Sequence, residues 1–203
     1  MPRIENINQN FPEWSELKFY EIISLETNRK IDMQMRQEKQ FLFVCSGKCS
    51  VLNGNSKRII SGGDAAELKK DFPLSICNDS AEKNTIIIVG GNWENEIGAH
   101  GVFSMNNVQH PKNSGDSTSY WRNTDFDNHF HDCDEYWIFY EGRGIAVSEE
   151  KVYTIEPGVC IATKMGDHHD IPVVNEILSG IYFETTLKGK KRKGHLWNHS
   201  HSI

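Results

Sequence analysis

The residues best able to do chemistry lie in His129-Phe130-His131-Asp132-Cys133-Asp134-Glu135, where two imidazoles and a carboxylate share one parity. In an extended strand alternate side chains share a face, so His129 and His131 point the same way, and Glu135 joins them after a slight bend. Two imidazoles and a carboxylate are costly to bury on an inward face unless something pairs with them. A divalent cation does so directly, taking borderline nitrogen donors together with a hard oxygen. A fourth donor is offered far along the chain by Gly166-Asp167-His168-His169-Asp170.

The elements that must position these residues read as short strands. Runs of Val, Ile, Phe, Tyr and Trp are bounded by turn residues at Ser46-Gly47-Lys48, Asn53-Gly54-Asn55, Ser61-Gly62-Gly63-Asp64, Glu141-Gly142-Arg143-Gly144 and Glu156-Pro157-Gly158. Leu52-Asn53-Gly54-Asn55 suits a tight hairpin, because Asn and Gly accept positive φ cheaply. Helical periodicity is weak and confined to Trp14–Leu17 and Ala65–Lys70. Closely spaced short strands argue for an all-β sandwich or barrel.

The chain also repeats itself. At an offset of 95 positions, Phe41-Leu42-Phe43-Val44-Cys45-Ser46-Gly47 falls on Tyr136-Trp137-Ile138-Phe139-Tyr140-Glu141-Gly142. Ile59-Ile60-Ser61-Gly62-Gly63 then falls on Thr154-Ile155-Glu156-Pro157-Gly158, Thr85–Val89 on Gly180–Glu184, and His100 on His195, without a gap. A fixed period of this kind predicts a duplicated unit. The expected domains are 1–105 and 106–203, with the Asn-, Ser-, Gly- and Pro-rich stretch Asn106–Ser119 as connector.

The second half resembles the cupin superfamily. The family's first motif, G-x5-H-x-H-x3–4-E-x6-G, is matched by His129, His131, Glu135 and Gly142, and its second, G-x5-P-x-G-x2-H-x3-N, by Gly158, Gly166 and His169. Asn123, Lys164 and Val173 stand where the motifs have Gly, Pro and Asn. His168 is the rival for the fourth ligand, and the spacing from Gly166 favours His169. The resemblance implies two tandem double-stranded β-helix (jelly-roll) barrels, with one divalent transition metal (Fe, Mn, Ni, Zn or Co) bound inside the second by three His and one Glu.

The repeat supplies an internal control. At the same offset His129 corresponds to Gln34, His131 to Arg36, Glu135 to Gln40 and His169 to Leu74. None keeps its ligand type, so the first barrel is expected to hold no metal and to serve a structural role. Trp137 and Phe139 share the parity of His129 and His131, and with Tyr182 they are expected to form an aromatic wall suited to a planar or partly apolar small molecule.

The resemblance implies two kinds of metal chemistry, oxygenation at an Fe(II)-type centre or Lewis-acid isomerase or lyase work, and fold likeness alone does not choose between them. Oxygenation is placed slightly ahead. The alternatives are a small-ligand binding or sensing barrel and a barrel whose metal is structural.

Composition narrows the partners. A formal net charge of −6 argues against broad attraction to nucleic acid or anionic membrane. No run approaches the roughly 20 apolar residues that span a bilayer, and the start Met1-Pro2-Arg3-Ile4-Glu5 carries no apolar signal region. Five cysteines without a C-x-x-C pair suit a reducing cytoplasm, and Cys45 and Cys49 lack the second pair a zinc site requires. The basic run Lys188–Lys193 reads as a solvated loop or as a clamp for an anionic substrate group. The family resemblance further implies a homodimer.

Overall fold

The computed structural model describes residues 3–68, 73–94, 96–186 and 194–198, and these contain fourteen strands and no helix. The chain forms two compact units. One comprises Glu16–Glu94 with His100–Phe103, and the other Met1–Ser15, Asn95–Ala99 and Ser104–Ile203. The strands run β1 (Arg3–Glu5), β2 (Leu17–Leu25), β3 (Lys30–Met33), β4 (Lys39–Val44), β5 (Lys48–Asn53), β6 (Ser56–Ser61) and β7 (Ala65–Leu68). There follow β8 (Leu74–Asn78), β9 (Asn84–Gly91), β10 (His100–Met105), β11 (Asp134–Ser148), β12 (Lys151–Ile155), β13 (Val159–Thr163) and β14 (His169–Thr185).

In the unit built from residues 16–94, antiparallel pairing orders two four-stranded sheets as β2-β9-β4-β7 and β3-β8-β5-β6. Alternate residues Leu42 and Val44, Leu74 and Ile76, Ile86 and Ile88 bury into one core, as a period of two demands. Each such side chain contributes about 1.5–3 kcal/mol relative to exposure. The hairpin expected at Asn53-Gly54-Asn55 joins β5 to β6, with Asn53 opposite Ser56 and Gly54 at φ +65. The weak helical periodicity at Ala65–Lys70 does not survive: Ala65–Leu68 is strand, paired to β4. Four residues cannot nucleate a helix against a waiting sheet edge. Leu17 likewise opens β2 instead of closing a helical turn.

The second unit repeats this plan. Adding 95 carries β6 onto β12, β7 onto β13, β4 and β5 onto the two halves of β11, and β8 and β9 onto those of β14. The difference is continuity. The glycine-rich segment Glu141–Gly144, expected as a turn, lies inside β11, whose pairing with β14 shifts register between Phe139 and Glu141, between Glu141 and Arg143, and again at Gly144. Bulges bend the strand where a turn would have ended it. Gly142 sits at φ +85, and a Cβ there would stand 2.0 Å from the Ile177 carbonyl oxygen, so no other residue fits.

Residues 1–15, which the repeat assigns to the first domain, belong to the second unit. β1 pairs antiparallel with β13, Arg3 opposite Ile161 and Glu5 opposite Val159. Self-similarity cannot reveal this, because the segment covers an otherwise open edge of β13, the counterpart of an edge that the first unit's β7 leaves unpaired among the described residues.

Candidate metal centre

The donor residues are placed by strand ends. His169 is the first residue of β14 and exchanges both backbone hydrogen bonds with His129 (3.2 and 2.8 Å), which fixes two donors from distant sequence side by side. Glu135 is the second residue of β11. The loop carrying His131 is pinned by Gly166, whose N–H donates to the His131 carbonyl at 2.9 Å from a left-handed conformation (φ +88). Gly158, in the turn before β13, donates its N–H to the Phe139 carbonyl at 2.8 Å.

His129, His131, Glu135 and His169 are all buried, and one donor atom from each lies within 4.8 Å of the others. The closest approaches are 2.7 Å between the Nε2 atoms of His129 and His131 and 3.0 Å between His169 Nε2 and a Glu135 carboxylate oxygen. The protonation pattern follows from the outer contacts. His129 Nδ1 lies 2.8 Å from the Asp127 carbonyl, and His169 Nδ1 lies 3.0 Å from the Asp167 carbonyl. His131 Nδ1 lies 3.3 Å from a Glu184 carboxylate oxygen. A carbonyl or carboxylate can only accept, so each Nδ1 carries the hydrogen and each Nε2 turns a bare lone pair toward the others. Bare lone pairs at 2.7 Å repel. Glu135 Oε2 and His169 Nε2 are moreover buried without a hydrogen-bond partner among the described residues.

Burial, reinforced by His169 and His195, pushes His129 down to about 3, so it is neutral near pH 7. Burial alone would raise Glu135, but the imidazoles of His169 and His131 and the Trp137 side chain outweigh it and hold the carboxyl at about 2. Three imidazoles and a carboxylate, with acceptors aimed inward and donors tied outward, are the donor set a divalent transition metal requires.

The rival His168 is directed elsewhere, its Nε2 lying 2.9 Å from an Asp116 carboxylate oxygen. Trp137 is 2% exposed and packs edge-on to His169, ring centroids 5.2 Å apart, and to Phe126 at 5.4 Å. Tyr182 is the cross-strand partner of Trp137, and Phe139 is fully buried one pleat further along β11. The departures from the motifs are accommodated. Asn123 donates from its side-chain amide to the Val174 carbonyl and accepts from the Val174 N–H (2.9 and 2.8 Å), holding its segment against β14. The Lys164 carbonyl closes the turn by accepting from the Asp167 N–H at 3.0 Å. Val173 pairs with Ile145 inside the sheet.

In the first unit the corresponding residues do other work. Gln40 accepts from the N–H groups of Arg36 and Gln37, Leu74 lies in the core, and Arg36 forms an ion pair with Glu21 at 2.9 Å.

No family model matches the sequence. A relative does: the chain is 37% identical over 190 residues, 94% of its own length and 88% of the other's, to the uncharacterized protein y4oW of Sinorhizobium fredii. Among solved structures, hazelnut (Corylus avellana) vicilin superposes with a TM-score of 0.61 at 10% identity, covering 85% of this chain and 76% of that one. AerE from Microcystis aeruginosa gives 0.57 at 12% identity (83% and 87% covered), and YhaK from Escherichia coli 0.56 at 10% (84% and 86%). The chain belongs to one family with protein y4oW, and its likeness to the solved structures is one of fold, an all-β jelly-roll.

Several parts of the site leave no mark in the motifs. Glu184, 1% exposed, is partnered through its other oxygen by the Ala99 N–H at 2.9 Å. The segment 194–198 lies over the ligands: His195 stacks on His129 at 3.8 Å with planes 3° apart, and Leu196 exchanges backbone hydrogen bonds with Phe130. Trp197 Nε1 donates to Asp127 at 3.0 Å, and the Asn198 N–H donates to Asp116 at 2.8 Å. The one trace of this in the sequence is the repeat itself, which aligns His195 with His100, a residue packed against Phe41 and Phe43 in the first unit. The basic run Lys188–Lys193 lies outside the described residues. No helix among the described residues is long and apolar enough to cross a membrane.

Proposed function

We propose that this chain is a metal-dependent enzyme of cupin type acting on a small molecule, with oxygenation ahead of isomerase or lyase chemistry. The observation that carries the reading is the convergence of three bare Nε2 lone pairs and one carboxylate whose outer atoms are all tied down. A divalent transition metal held there supplies a Lewis acid and, when redox-active, a centre for O₂ chemistry. The chain's own residues do the remainder. Glu184 and the carbonyls of Asp127 and Asp167 keep a proton on each Nδ1, so the donors stay oriented. Trp137, edge-on to His169, offers a flat apolar wall to a planar substrate, and apolar surroundings favour an apolar co-substrate such as O₂. Segment 194–198, lying over His129, keeps bulk water from the ligands.

The test is elemental analysis of protein purified without added metal, followed by O₂-uptake measurements over a panel of planar phenols and hydroxy-ketones. Iron or manganese with substrate-dependent uptake that disappears in His131→Ala supports oxygenation. Zinc with substrate turnover but no uptake moves the assignment to Lewis-acid chemistry. A metabolite that stabilises the metal-loaded protein and is never converted overturns the enzymatic reading in favour of sensing.

A further inference from the structure

Two hydroxyls beside the metal ligands have no role in the site as described. Thr163 is the antiparallel partner of Glu135, and Ser148 is that of His169. Such partners stand on the same face with Cβ atoms about 4.5–5.5 Å apart, so both side chains share the face that carries the donors. Each residue is 1% exposed, and among the described residues neither Thr163 Oγ1 nor Ser148 Oγ has a hydrogen-bond partner. A buried hydroxyl without a partner is unfavourable, and an apolar side chain of equal size would serve packing better. The repeat shows that choice being made: Thr163 corresponds to Leu68, a core residue of the first unit, where the ligand types are also absent.

Resting on the metal reading above, we propose that Thr163 and Ser148 are substrate-binding residues, each hydrogen-bonding an oxygen of a neutral, planar molecule that presents two adjacent oxygens to the metal, such as a hydroxy-ketone. Charge selects the class. Glu135 and Glu184 share this face through their pairing and balance a divalent cation, and none of the residues paired onto the face with them (Thr163, Ser148, Trp137, Tyr182) is cationic. A dianion would therefore meet no cationic side chain among these described residues. Planarity follows from Trp137 and Tyr182, cross-strand partners on the same face.

The experiment has two arms. In the metal-free protein, Thr163→Val and Ser148→Ala leave the melting temperature unchanged or raise it; a fall of several degrees in either would show that the hydroxyl is already satisfied and would overturn the proposal whatever the metal does. In the Co²⁺-loaded protein, whose d–d spectrum reports the coordination sphere, maltol, a planar hydroxy-ketone neutral in solution, binds more tightly than oxalate. Each variant weakens maltol about tenfold, the value of one hydrogen bond, while Co²⁺ affinity stays within about twofold. Tighter binding of oxalate, or maltol affinity unchanged in the double variant, overturns this assignment alone. Failure of the wild-type protein to take up Co²⁺ overturns both this and the metal reading.

Discussion

Glu184→Gln tests how far the outer contacts build the metal centre. One carboxylate oxygen of Glu184 lies 3.3 Å from His131 Nδ1, and the other accepts from the Ala99 N–H at 2.9 Å. Both neighbours present hydrogens, so a carboxylate with two accepting oxygens satisfies them together. A glutamine has one accepting oxygen and one NH₂, and either orientation sets N–H against N–H. The variant therefore loses one hydrogen bond and the negative charge that makes His131 a stronger donor, and the imidazole is freed to rotate. Losses of this kind cost about 10–100-fold in metal affinity, or about 1.4–2.8 kcal/mol. Competition against a fluorescent chelator measures the affinity directly, with the Co²⁺ d–d spectrum reporting any change at the ligands. A Glu184→Gln protein that folds with an unchanged melting temperature and binds metal within about twofold of wild type would refute the argument that Glu184 orients His131.

Other expectations follow from the same geometry. Copying the first unit by the double change Glu135→Gln with His169→Leu, after Gln40 and Leu74, should abolish metal uptake and make the melting temperature insensitive to chelator while the protein still folds, as calorimetry with and without EDTA would show. His129 is held at about 3, below its unfolded value near 6.5, so between those pH values the unfolded chain binds a proton that the folded one refuses. Stability of the metal-free protein is therefore lost as pH falls from about 6.5 toward 3, and Glu135, held at about 2 against 4.5, adds to the loss below 4.5. His129→Asn should flatten the upper part of that profile in thermal melts across pH. Gly142→Ala combines a left-handed φ of +85 with a Cβ 2.0 Å from the Ile177 carbonyl. It should cost about 3 kcal/mol or more in urea unfolding, since the left-handed conformation alone costs about 1–2 kcal/mol and the backbone must also move.

The sequence by itself determined the strand plan and the donor types. A period of two makes a strand's inward residues legible, and duplication at an offset of 95 doubles the signal, so the strands of the two units could be laid on one another without coordinates. His129, His131 and Glu135 were readable for the same reason, since local spacing sets their shared face. Tertiary structure decided what depends on pairing between distant segments. It chose His169 over His168 by joining the backbones of 129 and 169, set Glu184 behind His131, brought His195 onto His129, and gave β1 to the edge of β13. It also kept Glu141–Gly144 within a bent strand, because the neighbouring β14 continued the ladder on which a turn would have depended. Hydrogen-bond partners across a sheet and stacking over a strand end leave no periodicity in the chain, and only the packed structure can specify them.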